Sequence, residues 1–308
     1  MNAFEMQNEI KKIVDNEFGL QVFAVINNRG TFSISKFLFD DGLKEQIKDV
    51  LNKNLRENFL QDDVEVDSAE NIADNRKIFY EISQNDDYHP FAFLSAYNSV
   101  TEVYSERSIN QIMGFAFRIN IDDAGIWLYQ QIVYPQLIKR SKHLYAILSG
   151  DNIYTLLNKD VLKIENKIDC LIIGSSIITS NIKLMQRCFQ FESFIRKEAA
   201  KTIQLIVGMD ILDDPKMLDS LGKVLTNAKK LMRAISSPVL KMDKNILLRK
   251  LETLSYYNLE IENGKIKINN QKQAVEFLKM LNDSILKSEL TDVEYDSTVK
   301  KELSSSPK

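Results

Sequence analysis

The sequence is poor in the residues on which most recognisable chemistry is built. Its 308 residues include two cysteines and two histidines. Cys170 and Cys188 lie 18 positions apart, without the paired spacing of a zinc site or the density of a disulfide framework. Both are expected to be core residues in a reducing cytoplasm. A Ser–His–Asp site would need His89 or His143, and neither comes with a nucleophile motif such as G-x-S-x-G. The ten glycines form neither G-x-x-x-x-G-K-[ST] nor G-x-G-x-x-G, so no phosphate-cradling loop is present. No apolar run approaches the ~18 residues that a membrane span requires. The opening MNAFEMQNEIKK lacks the basic and apolar regions of a secretory signal. A cytoplasmic chain with no cofactor and no metal is expected.

What the chain does have is charge, unevenly placed. The formal net charge of −3 conceals a net of −9 over residues 1–110 and +7 over residues 181–250. The sharpest stretch is Lys223–Lys250, with eight basic residues and a single acid, Asp243. Such asymmetry points to an anionic partner for the basic part. A solvated helix face would account for some of it.

The length predicts two domains, with 1–180, 181–296 and a disordered tail 297–308 as the divisions. The first reads as α+β, a mainly antiparallel sheet with flanking helices. It has a helix at Phe4–Phe18, a hairpin of Leu20–Ile26 and Thr31–Phe39 turning at Asn27–Gly30, and a helix at Asp40–Leu60. Strands follow at Val64–Val66, Ile78–Ile82, Ile112–Ile121, Ile126–Tyr134, Leu144–Leu148, Tyr154–Leu157 and Val161–Ile164. Their short links favour antiparallel pairing, since parallel crossovers need more residues. Leu171–Gly174 is expected to be a central strand, with Ile177 and Ile178 just beyond it.

Within Asn181–Ile235 the strand signal stops. Leu184, Cys188, Phe191, Ile195 and Ala199 follow at i+3 and i+4, which predicts a helix over 181–206 with a broad apolar face. That breadth leads us to expect a homodimer with this helix near the seam. Asp213-Asp214-Pro215 caps a second helix, whose stripe is Leu218, Leu221, Val224, Leu225, Ala228, Leu231, Met232 and Ile235. Lys223, Lys230 and Arg233, with Lys229 at the margin, occupy its other side. Lys241 and Lys244 follow a Ser-Ser-Pro break. These long helices join the sheet domain to a smaller helical and α+β module. That module has a helix from Asp243 to about Leu254, a strand at Lys265–Ile268, a helix at Asn270–Leu281, and an irregular stretch at Leu286–Tyr295.

Three candidate sites emerge. The first is a nucleic-acid face made of Lys223, Lys229, Lys230, Arg233, Lys241 and Lys244, because clustered cations opposite an apolar stripe lie in water or on phosphate. The second is a metal-dependent nuclease centre using Glu165, Lys167 and Asp151 or Asp169, since such chemistry needs carboxylates and a lysine near a phosphate. Acid-x-Lys triplets also occur at Glu9–Lys11 and Asp214–Lys216, which weakens this pattern. The third is Asp86, Asp87 and His89 before Pro90, which reads better as turn chemistry. The Lys139-Arg140-Ser141-Lys142-His143 run reads as a solvated turn, and Phe115 and Phe117 as sheet core.

Several short blocks carry a resemblance. They are Gly114-Phe115-Ala116-Phe117-Arg118-Ile119, Ala146-Ile147-Leu148-Ser149-Gly150-Asp151, Thr226-Asn227-Ala228-Lys229-Lys230-Leu231 and Ser237-Pro238-Val239-Leu240. The closing Leu281-Asn282-Asp283, Ser288-Glu289-Leu290-Thr291 and Tyr295 are the most specific. In this order, over roughly Ile78 to Tyr295, they resemble the KwaB family, the soluble component of the two-gene Kiwa anti-phage system. The resemblance implies a cytoplasmic DNA-binding protein that works with KwaA, a multi-pass membrane protein. It implies that the pair senses infection at the inner membrane and restrains phage DNA replication and transcription. It carries no catalytic residue, so the DNA-contact residues rest on the charge map alone.

Overall fold

The computed structural model describes residues 1–69, 78–85, 87–104, 112–121, 124–132, 146–148, 154–156, 164–254, 257, 259–287 and 294–296. The chain divides into two units, Met1–Asp67 with Arg76–Asn181, and Ser68–Asn75 with Ile182–Lys308.

The first unit opens with α1 (Ala3–Val14). Asn2 Oδ1 accepts the Glu5 N–H and Glu5 Oε2 accepts the Asn2 N–H, both at 2.9 Å, a reciprocal cap that satisfies two orphan donors. Strands β1 (Gly19–Asn28) and β2 (Thr31–Phe37) join through Arg29 and Gly30 at φ 53° and 97°. This is the two-residue turn whose twist matches a hairpin. Then come α2 (Asp41–Asn58), capped by Asp40, β3 (Glu65–Ser68) and β4 (Ile78–Ser83). A 3₁₀ segment spans Ala92–Asn98. Strands β5 (Ile112–Ile121), β6 (Ala124–Gln131), β7 (Ala146–Leu148), β8 (Tyr154–Leu156), β9 (Cys170–Ile173) and β10 (Ser176–Thr179) complete the unit.

The main sheet has eight strands in the order β2-β1-β5-β6-β9-β10-β4-β3, and every pairing from β2 across to β4 is antiparallel. Strands β7 and β8 pair separately. Alternation along the strands sorts the two faces. Phe115, Phe117 and Leu128 turn one way, into a core with Met6, Ile10 and Ile13 of α1 and Ile47, Leu51 and Leu55 of α2. Phe115 and Phe117 are fully buried there, as expected of sheet core. On the other face Phe23 meets Trp127, Trp127 meets Tyr97, and Arg118 lies 3.8 Å over the Tyr97 ring. A side chain at Gly114 would collide with the Gln130 carbonyl and the Tyr129 ring on β6, so the close approach of β5 to β6 requires glycine.

Cys170–Ile173 is interior to the sheet, as its apolar run predicts. Ile177 and Ile178 do not extend it. They form β10, because Gly174 at φ 55° reverses the chain into a second antiparallel strand. Of the strand expected at Val161–Ile164, residues 161–163 lie outside the described residues and Ile164 is not in a strand.

The second unit contains α3 (Ile182–Cys188), α4 (Phe191–Gly208), α5 (Lys216–Gly222), α6 (Leu225–Ala234), a 3₁₀ turn (Pro238–Lys241) and α7 (Lys244–Thr253). Then follow β11 (Glu260–Glu262), β12 (Lys265–Lys267), α8 (Gln271–Leu281), β13 (Ile285–Lys287) and β14 (Glu294–Asp296). Each of the two long helices read from the sequence is in fact two. The first breaks at Gln190, which takes φ 56°. The second breaks at Val224, whose backbone is extended at φ −88°, ψ 120°. The breaks re-phase the apolar stripe, so Leu218, Leu221, Ala228, Leu231 and Met232 are buried while Val224 and Ile235 are exposed. On α4, Phe191, Ile195, Ala199 and Ile206 are buried in the unit, and Leu205 and Val207 remain exposed. The expected face Ala274, Phe277, Leu278 and Leu281 of α8 is fully buried. Part of Leu286–Tyr295 is not irregular: Ile285–Lys287 pairs antiparallel with Glu294–Asp296. No described helix is long and apolar enough to cross a membrane.

Candidate nucleic-acid interface

The six candidate cations of the basic stretch are held by four different local structures. Lys223 is exposed in the break between α5 and α6. Its carbonyl accepts the Arg196 Nη1 at 2.6 Å, while Arg196 Nη2 donates to Glu192 at 2.7 Å. An arginine of α4 therefore fixes the backbone of the break and leaves the Lys223 ammonium outside it.

Lys229, Lys230 and Arg233 ride on α6, each half-buried. Asn282, at the end of α8, brackets this helix. Its Nδ2 donates to the Lys230 carbonyl at 3.0 Å and to the Leu278 carbonyl at 2.8 Å, and its Oδ1 accepts the Arg233 Nε at 2.9 Å. Arg233 is thus an internal strut as well as a cation. That was invisible in the sequence, where only its helical phase relative to the leucines could be read.

Lys241 is exposed at the end of the 3₁₀ turn, and Lys244 opens α7. The Lys244 ammonium donates to the carbonyl and carboxylate of Asp210, the latter at 3.0 Å, and Lys265 donates to the same carboxylate at 2.7 Å. The Lys265 and Lys244 hydrogen bonds hold the Asp210 carboxyl below its ordinary value. Two ammoniums on one carboxylate leave this cluster cationic. Among the described residues, Lys223, Lys230 and Lys241 have no acidic side chain within ion-pair distance.

The nuclease triplet is brought together in part. Lys167 Nζ lies 3.3 Å from Asp169 Oδ2 and 3.7 Å from Glu165 Oε2. The same Asp169 oxygen accepts the Gln131 N–H at 2.7 Å, and the Asp169 carbonyl accepts the Thr179 hydroxyl at 2.7 Å. The buried Gln130 side chain donates to the Glu165 and Lys167 carbonyls at 2.6 and 2.8 Å. This segment is stitched to β6, a role for Gln130 that no motif announced. Asp151 and the Lys139–His143 run lie outside the described residues, as does Asp86 of the Asp-Asp-Tyr-His loop. No group of three metal-ligating side chains occurs among the described residues. Burial pushes the Cys170 thiol well above its ordinary range, which disfavours thiolate chemistry there.

Residues 109–291 match the family model described as Kiwa protein KwaB-like. The chain is 20% identical, over 322 aligned positions, to the Kiwa protein KwaB of Escherichia coli O55:H7 (strain RM12579 / EPEC). That alignment covers 98% of this chain and 99% of the relative. No solved structure matches the chain.

Proposed function

Because the chain belongs to the KwaB family of anti-phage defence proteins, we propose that it is a DNA-binding effector that restrains phage DNA replication and transcription together with the membrane protein KwaA. The observation that carries the DNA reading is the set of unpaired ammoniums at Lys223, Lys230 and Lys241 in a stretch with eight cations and one acid. The Lys223 and Lys230 carbonyls are held by Arg196 and Asn282, and none of the three charges has an acidic partner among the described residues. Phosphate contacts from such a face supply affinity with little sequence preference.

The test is salt dependence. Each phosphate contact on duplex DNA releases counterions, giving a slope of about −0.9 in log K against log salt. Changing Lys223, Lys230 and Lys241 together to Gln is expected to flatten the slope by about 3 units. Affinity for unrelated sequences should fall alike, with an unchanged melting temperature. An unchanged slope in a folded variant would identify a solvated face and nothing more.

The competing reading, a metal-dependent nuclease at Glu165, Lys167 and Asp169, has less support. Both carboxylates that would hold a cation already share the Lys167 ammonium, and Asp169 also anchors the Gln131 amide. Incubating labelled DNA with the protein and Mg²⁺ or Mn²⁺ separates the two readings.

A further inference from the structure

A cavity of about 550 Å³ opens in the sheet unit between α2, β4 and the segment before β9. Its volume lies within the range of small-molecule sites. Asn54 lines it and is 4% exposed. The Asn54 Nδ2 donates to the Asn166 carbonyl at 3.1 Å, but its Oδ1, buried, accepts no hydrogen bond from the described residues. A buried acceptor left open is costly, and a ligand N–H is one way to satisfy it.

Charge selects among donor-bearing ligands. Among the described residues, the only cationic side chain in the lining is Lys167, and it is already engaged by Asp169 and Glu165. Glu57 and Asp63 also line the cavity, and the sole described ion partner of Glu57 is Lys53, 3.8 Å away on the exposed side of α2. The balance is anionic, which repels phosphate and favours a cation. Phe59 and Phe79, stacked at 4.4 Å, with Val64 and Ile168 form the apolar part of the wall, and uncharged polar side chains such as Asn58, Asn166 and Ser180 form the rest. An open amide oxygen, carboxylates and apolar side chains lining one cavity fit a chain of methylenes carrying ammonium groups.

We propose that this cavity binds a small aliphatic polyamine. One ammonium donates to Asn54 Oδ1, the methylenes lie along Phe59 and Ile168, and a second ammonium faces Glu57 and Asp63. The site is independent of the DNA reading, since it uses none of the residues of the basic stretch.

Equilibrium dialysis of the full chain against labelled spermidine, at about 0.15 M salt to screen diffuse attraction, tests it. Saturable binding of one spermidine per chain is expected. The exposed pair Glu57→Gln with Asp63→Asn should weaken it at least tenfold. Glu45→Gln with Asp49→Asn, which removes two carboxylates of α2 that do not line the cavity, should leave it unchanged. Asn54→Leu should also weaken it, and if that variant does not fold the Glu57 and Asp63 pair decides. The proposal is overturned by non-saturable binding, by equal losses in the two carboxylate pairs, by no loss in the Glu57 and Asp63 pair, or by tighter binding of adenosine monophosphate than of spermidine.

Discussion

In the sheet unit the Lys167 ammonium sits between two carboxylates, one of which also accepts a backbone amide. In the helical unit the Lys223 and Lys230 carbonyls are the groups held, by Arg196 and Asn282, and the ammoniums have no acidic partner in the described fold. The same residue type is a structural tie in one place and a positioned, uncompensated charge in the other. Lysine content alone therefore does not identify a binding face. What distinguishes one is a fixed backbone beneath a charge that the fold does not neutralise, because such a charge gains most from an external anion. Arg233 and Lys244 stand between these cases, since the uncharged Asn282 engages the first and Asp210, shared with Lys265, engages the second.

The comparison can be sharpened by substitutions that act on the interior, on the bracket, or on charge alone. The largest effect is expected for Phe117→Ala, which empties a fully buried site against α1 and α2. Denaturant unfolding should show a loss of about 3–5 kcal/mol. Asn282→Ala comes next. It removes the acceptor of the Arg233 Nε–H and a donor to the Lys230 carbonyl, and should cost about 1–3 kcal/mol. It should also weaken DNA binding although Asn282 carries no charge; undiminished DNA binding in that variant would sever the bracket from the interface.

A smaller effect is expected at Asp210. Lys265 and Lys244 lower its carboxyl below the ordinary value of 3.8, so its contribution is present above that pH and disappears as the pH falls through the depressed folded value. Acid unfolding of Asp210→Asn should therefore be less steep below about pH 4, because the variant lacks the titrating carboxylate and its pairing at every pH. The smallest is Glu165→Ala. Its contact with Lys167 is partly exposed and long at 3.7 Å, and such pairs contribute about 0–1 kcal/mol. Stability and phage protection should both be retained, and loss of protection in the folded variant would restore the nuclease reading.

Much of the architecture could be read from local patterns. Asp40, Asp243 and Asn270 cap the helices they precede, because a short acceptor before an apolar stripe satisfies the first amides whatever the surroundings. The Arg29-Gly30 turn, the parity of Phe115 and Phe117, the antiparallel pairing and the face of α8 also follow from near neighbours and spacing. The breaks at Gln190 and Val224 did not show. Neither residue is a helix breaker by type, and each departs from helical geometry only where packing of the following helix re-phases the apolar stripe.

The same division holds for the candidate site. Sequence by itself determined which residues are charged, how densely they cluster and which family the blocks resemble, since these depend on composition and order. Tertiary structure alone decided that Asn282 brackets α6, that Asp210 gathers Lys244 and Lys265, and that Asn54 and Gln130 hold the segment around Lys167. Each of those contacts joins residues from 34 to 112 positions apart. Hydrogen-bond partners at such separations are set by how elements pack, and no local periodicity encodes them.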